Sequence, residues 1–147
     1  LLIGNIGDPK TKDPLCKRLS IEEDIEVKRN IKLALAKLGD TDFQKEIGSY
    51  LGNPDERLRY RAIEDLKYIN DKRLTKLLLP SLDDTGRANL VSDKSETTPR
   101  FARICDAAVT LVAYLCNNPF SFEVSNMKIY SAEEIEQAKE FLSSLKD

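Results

Sequence analysis

VKRNIKLALAKLGD, residues 27–40, and LRYRAIEDLKYIND, residues 58–71, align without a gap at a separation of 31 residues. Apolar residues coincide at Val27/Leu58, Ile31/Ala62, Leu35/Leu66 and Leu38/Ile69. Offsets of four, four and three trace one stripe along an α-helix. Both stretches close on a turn signal, Gly39-Asp40 and Asn70-Asp71. Glycine and asparagine are the residues that best tolerate the left-handed conformation at a helix C-terminus.

The period extends in both directions. Asp8, Asp40 and Asp71 end three such units at spacings of 32 and 31 residues. A shorter apolar segment precedes each long helix, at 13–20, 43–52 and 73–83, with Leu19, Leu51 and Leu82 in register. Each unit is therefore expected to be a first helix, a turn, and a second helix. A third long helix is expected at 100–115, with Ala107, Leu111 and Tyr114 opposite Ile31, Leu35 and Leu38. Its excess offset places an insertion between the two helices of that unit.

A period in this range marks a stacked-repeat architecture. The reading divides the chain into residues 1–8, the tail of a repeat begun before Leu1, then repeats at 9–40, 41–71 and 72–116. The last carries an inserted loop at about 84–99, and residues 117–147 form a C-terminal cap. Ser131-Ala-Glu-Glu134 is a capping-box pattern that should start the cap helix.

The repeat pattern in VKRNIKLALAKLGD and LRYRAIEDLKYIND resembles the HEAT-like repeats of the phycobilisome-lyase type. The resemblance implies an all-α, right-handed superhelical solenoid, armadillo-like in shape, with the second helices on its concave side. It also implies that Lys28 and Arg59, at equivalent positions, pair with the turn aspartates Asp8, Asp40 and Asp71 to hold neighbouring repeats in register.

Composition excludes several chemistries. The 147 residues contain no histidine, three cysteines and no Gly-rich phosphate loop. Serine–histidine and cysteine–histidine nucleophilic pairs are absent, as is the commonest zinc ligand. The deoxyhypusine hydroxylase built from similar repeats uses metal-binding His-Glu pairs, which this chain cannot supply. No catalytic residue, metal site or cofactor is expected. No apolar run approaches the length of a membrane span. The cysteines lie in apolar helical stretches, and a reducing, cytoplasmic location is expected.

Charge is unevenly placed. The chain has 23 basic and 25 acidic residues. The three second-helix stretches hold ten basic residues against Glu64, Asp65 and Asp106. A basic inner face would steer an acidic partner. Arg29, Lys32, Arg59, Arg61 and Arg103 are the candidate contacts for a protein or peptide. A nucleic-acid reading, by analogy with the alkylpurine DNA glycosylases of similar architecture, is the alternative. An isoelectric point near 5.4 weighs against it. The other alternative is the non-catalytic part of a larger enzyme such as a lyase. Asp106 is expected to cap its helix or pair with Arg103, and Phe101, Phe120 and Phe122 to pack.

Overall fold

The computed structural model describes residues 8–90 and 100–145, and these are predominantly helical. The expected repeat tail up to Gly7 and the middle of the inserted loop lie outside the described residues. The first unit is α1 (Lys12–Ile21) and α2 (Ile25–Lys37). The second is α3 (Thr41–Ser49), continued by a 3₁₀ turn Tyr50–Gly52, and α4 (Glu56–Ile69). The third begins with a 3₁₀ segment, Lys72–Asp83, and ends with α5 (Ile104–Leu115). The last helix is α6 (Ala132–Ser144).

Local chemistry fixes these ends. The three unit-closing aspartates each accept a backbone N–H two residues on: Lys10 to Asp8 at 2.9 Å, Asp42 to Asp40 at 3.2 Å and Arg73 to Asp71 at 3.0 Å. They start the next first helix by satisfying donors that a helix leaves unpaired. Asp24 and Asp55 do the same for α2 and α4. Gly39 at φ 85° and Asn70 at φ 56° turn the chain in the left-handed region, as the turn signals predict.

Successive units pack on one another. α2 contacts α1, α3 and α4; α4 contacts α3 and α5; the 3₁₀ segment lies against α5 and α6. The shared stripe is buried where the repeat alignment placed Ile31, Leu35, Ala62, Leu66, Ile69 and Leu111. Val27, 40% exposed, and Tyr114, 54% exposed, depart from it, and Leu115 takes the place of Tyr114. A four-residue step from Leu111 keeps the same helix face as well as a three-residue step does.

Two further expectations need correction. The segment 73–83 is not α-helical: Pro80 sits inside it, lacks an N–H and disfavours the α-helical ladder. The helix expected at 100–115 starts only at Ile104, because Arg103 is extended at ψ 164°. Phe101–Arg103 instead forms a strand, β2, antiparallel to β1 (Arg87–Leu90). These two strands flank the inserted loop and make a small sheet in an otherwise helical fold.

α6 begins as its pattern requires. The Glu134 N–H donates to Ser131 Oγ at 3.3 Å, and the Ser131 N–H donates to Glu134 Oε2 at 2.9 Å. Its buried Ile135, Ala138 and Leu142 join the main core. Phe120 stacks on Phe122 at 4.8 Å and meets Phe141 edge-on at 5.9 Å, so these rings pack as expected. Ser131→Ala should lower stability by about 1 kcal/mol, read by urea denaturation. An unchanged midpoint would show that Glu134 and Lys128 fix this end without the hydroxyl.

Candidate functional site

Residues Leu58, Ala62 and Asp65 run along one side of α4, facing α2. Together with Ile25 and Leu33 of α2 and Phe43 and Ile47 of α3, they line a groove of about 380 Å³. Apolar side chains dominate its interior, and charged residues stand at its edges. Ile25 is 80% exposed there. The cost of leaving such a side chain in water is about 1.5–3 kcal/mol. Exposed leucine or isoleucine is ordinary when isolated, but here it adjoins a cleft.

Three of the five candidate contact cations meet at this groove, and each already has an acidic partner within the chain. Arg29 Nη2 donates to Asp65 Oδ1, tying α2 to α4. Arg61 Nη2 reaches Glu26 Oε2 at 2.9 Å in the opposite sense, α4 to α2. Lys32 Nζ lies 2.7 Å from Glu46 Oε1 on α3 and 5.7 Å from the Phe43 ring centre. Burial raises the Asp65 carboxyl above its ordinary value, and the hydrogen bond and charge of Arg29 only partly offset this. At the groove, each of these three cations of the anticipated basic face is thus paired with a carboxylate from a neighbouring element.

The other two candidates lie away from the groove. Arg59 Nε donates to Asp84 Oδ2 at 2.5 Å, and its Nη1 donates to the carbonyls of Asn53 and Pro54 at 2.9 and 3.0 Å. Asp84 also accepts from the Gly86 N–H at 2.9 Å. This cluster ties α4 to the base of the β1 strand. Arg103 Nη2 donates at 2.7 Å both to Asp106 Oδ1 and to the Tyr130 carbonyl. Asp106 additionally accepts the N–H groups of Arg103 at 2.8 Å and Tyr130 at 2.9 Å. Its capping of α5 and its pairing with Arg103 were both anticipated; the Tyr130 contact was not.

The register ladder takes another form. Among the described residues, no carboxylate pairs with Lys28. Asp40 lies 3.5 Å from Lys12, and Asp71 pairs with Arg73 at 2.6 Å and accepts from Gln44 Nε2 at 3.4 Å. Asp8 accepts the Lys10 N–H. Arg59 does bridge two units, but to Asp84 rather than to a unit-closing aspartate. Each of the three aspartates accepts a backbone N–H at the start of the next unit, and Asp71 in addition holds the Arg73 guanidinium of that unit.

A second groove, of about 210 Å³, lies on the far side of α4. Tyr60, Ile63 and Lys67 of α4, Ala107 and Thr110 of α5, and Asn126 line it with a more polar surface. Among the described residues, no cluster of three His, Cys, Asp or Glu side chains could hold a metal ion. No buried side-chain polar atom among them lacks a hydrogen-bond partner. The three cysteines are free, and burial pushes the Cys105 thiol up, away from the reactive thiolate. No helix among the described residues is long and apolar enough to cross a membrane.

The groove residues Phe43, Ile47 and Tyr50 follow helical spacing, so the sequence carried a signal for them. Glu26, Glu46 and Asp84 carried none, since their partners lie in other elements.

Paired helices stacked unit on unit, with grooves opening between successive second helices, define a helical-repeat protein. Residues 12–91 match the HEAT repeats family, and the chain belongs to that family. No curated protein and no solved structure matches the chain.

Proposed function

We propose that this chain is a non-catalytic interaction module that binds a protein or peptide on the face formed by its second helices. HEAT repeats commonly mediate protein–protein interaction, which supports the class of function. The observation that carries the choice of face is the open apolar groove between α2 and α4, rimmed by Arg29, Lys32 and Arg61. In this reading the helix pairs stack as a right-handed α-solenoid with that face concave. α6, polar outside and apolar inside, serves as the terminal cap such a stack requires. The three free thiols suit a reducing cytoplasmic setting.

The ion pairs alter the mechanism from simple electrostatic guidance. A partner that took over Arg29 or Arg61 would have to displace Asp65 or Glu26, which returns little net energy. Affinity should come from apolar side chains entering the groove, with charge setting orientation. Reversing Arg29 or Lys32 would also place like charges beside Asp65 or Glu46, so such variants confound binding with stability.

The cleaner test is an Ile25→Asp/Leu58→Asp double variant, neither residue being buried. Native cell extract is passed over the intact chain and this variant side by side. A partner retained only by the intact chain, with both proteins giving the same circular dichroism, is the expected result. A partner held equally by both would move the binding site off this groove. Capture of nucleic acid in place of protein would return the glycosylase-like alternative.

A further inference from the structure

Three carboxylates line the groove between α2 and α4, and they differ in how much water they reach. Glu26 of α2 is 64% exposed and Glu46 of α3 is 38% exposed, so both stand at its edges. Asp65 of α4 is 15% exposed and lies one turn beyond Ala62, on the wall that also carries Leu58. Its ion-pair partner is Arg29 of α2. Arg61 is turned to Glu26, and Lys32 to Glu46. The remaining titratable groups of the lining are Lys28 of α2 and Tyr50 of α3, and Glu64 adjoins Asp65 in α4. Asp65 is thus a carboxylate set into an apolar wall and held by one guanidinium from the opposite helix. Burial outweighs that pairing, and the carboxyl stands above its ordinary value in the empty groove.

We propose that this groove is a proton-linked binding site: an apolar side chain seated in it closes Asp65 off from water, Asp65 takes up a proton, and the groove binds more tightly as pH falls. This rests on the interaction-module reading and specifies the regulation of that site. An occupant that removes the last water from a carboxyl disfavours the charged form and favours the neutral acid. Arg29 accommodates the change. Its side chain is 29% exposed, and its long stem lets the guanidinium reach water at the rim once Asp65 is neutral. The neutral acid still accepts a hydrogen bond from it. Glu26 and Glu46 keep their water at the edges, so an occupant changes their surroundings less. Linkage makes the effect reciprocal: an occupant that tightens proton binding at Asp65 is itself bound more tightly by the protonated chain, by the same factor.

Nile red, a neutral apolar dye, serves as the occupant in the test. Its fluorescence is titrated with the whole chain at about pH 4.5 and about pH 7.5, either side of the range in which a raised carboxyl titrates. The wild type should bind about three- to tenfold more tightly at the lower pH. Asp65→Asn, which carries a neutral amide in that place, should bind equally at both. Leu58→Ser should weaken binding at both. Equal affinity at both pH values in the wild type, with Leu58→Ser still weakening it, would overturn the proton link and leave the face standing. A pH effect that persisted in Asp65→Asn would overturn the role of Asp65. Dye binding that is absent, or indifferent to Leu58→Ser, would overturn the groove as an apolar site and the face with it. Carbon-13 NMR of the Asp65 carboxyl in the wild-type chain gives a reading independent of any variant. Its titration midpoint should lie above the ordinary aspartate value of about 3.9 and rise further with Nile red bound. A midpoint that the bound dye leaves unmoved would overturn the linkage.

Discussion

Replacing Asp106 with alanine should lower the free energy of unfolding by about 3–5 kcal/mol, the range for removing one partner of a buried ion pair. The Asp106 side chain is 1% exposed and sits within α5, so water cannot substitute for it. Both its oxygens are engaged: Oδ2 accepts the Arg103 N–H and Nε–H, and Oδ1 accepts Arg103 Nη2–H and the Tyr130 N–H. Alanine leaves the buried Tyr130 N–H without an acceptor and removes the bond that ends β2 and starts α5. The segment carrying Tyr130 leads directly into α6, so the loss should extend to that helix. Since a domain of this size has about 5–15 kcal/mol in all, the variant should be close to unfolding. Urea denaturation followed by circular dichroism measures the change. A loss below about 1 kcal/mol would mean that Arg103 and Tyr130 are held by packing alone.

Arg59→Ala is the second large effect, expected to cost about 2–3 kcal/mol, since it removes charge-assisted hydrogen bonds from a half-buried acceptor. Arg59 joins the α3–α4 turn, through the Asn53 and Pro54 carbonyls, to Asp84 beyond the 3₁₀ segment. Burial by itself would raise the Asp84 carboxyl. The bonds from Arg59 and the Gly86 N–H outweigh burial and hold it below its ordinary value. A carboxyl lowered on folding contributes stability that is fully present above its unfolded value and is lost as pH falls through its folded value. The difference between the wild type and Arg59→Ala should therefore be largest from about pH 5 upward and shrink below about pH 4. Chemical denaturation at pH 7 and pH 3 reads both parts. A difference that stayed constant over that range would assign the cost to the carbonyl bonds and not to Asp84.

The two variants also divide the molecule's charge chemistry from its binding chemistry. Neither Asp106 nor Arg59 takes part in the proposed contacts at α2 and α4, although Asp106 borders the second groove. A variant that weakens folding here and one that weakens binding at Leu58 should be separable by denaturation and affinity measured on the same samples.

The sequence by itself determined the repeat. Its period, the stripe through Leu35, Leu66 and Leu111, the turns at Gly39 and Asn70, and the capping box at Ser131 and Glu134 are all local, and local rules of helix geometry and capping suffice to read them. The aspartates at positions 8, 40 and 71 were equally visible, but their role as caps was not. A cap and an ion-pair partner have the same residue type, and distance to the nearest donor decides between them. Pro80 disfavours the α-helical ladder, and the segment 72–83 takes its 3₁₀ form packed against α5 and α6. The strands around the inserted loop arose from pairing between residues more than ten apart. What only the tertiary structure decided was the state of the basic face. Arg29 meets Asp65 across 36 residues, Arg61 meets Glu26 across 35, and Lys32 meets Glu46 across 14. Charge counted along a helix cannot register a carboxylate brought in by another helix, whereas in the folded chain that carboxylate offsets the cation it meets.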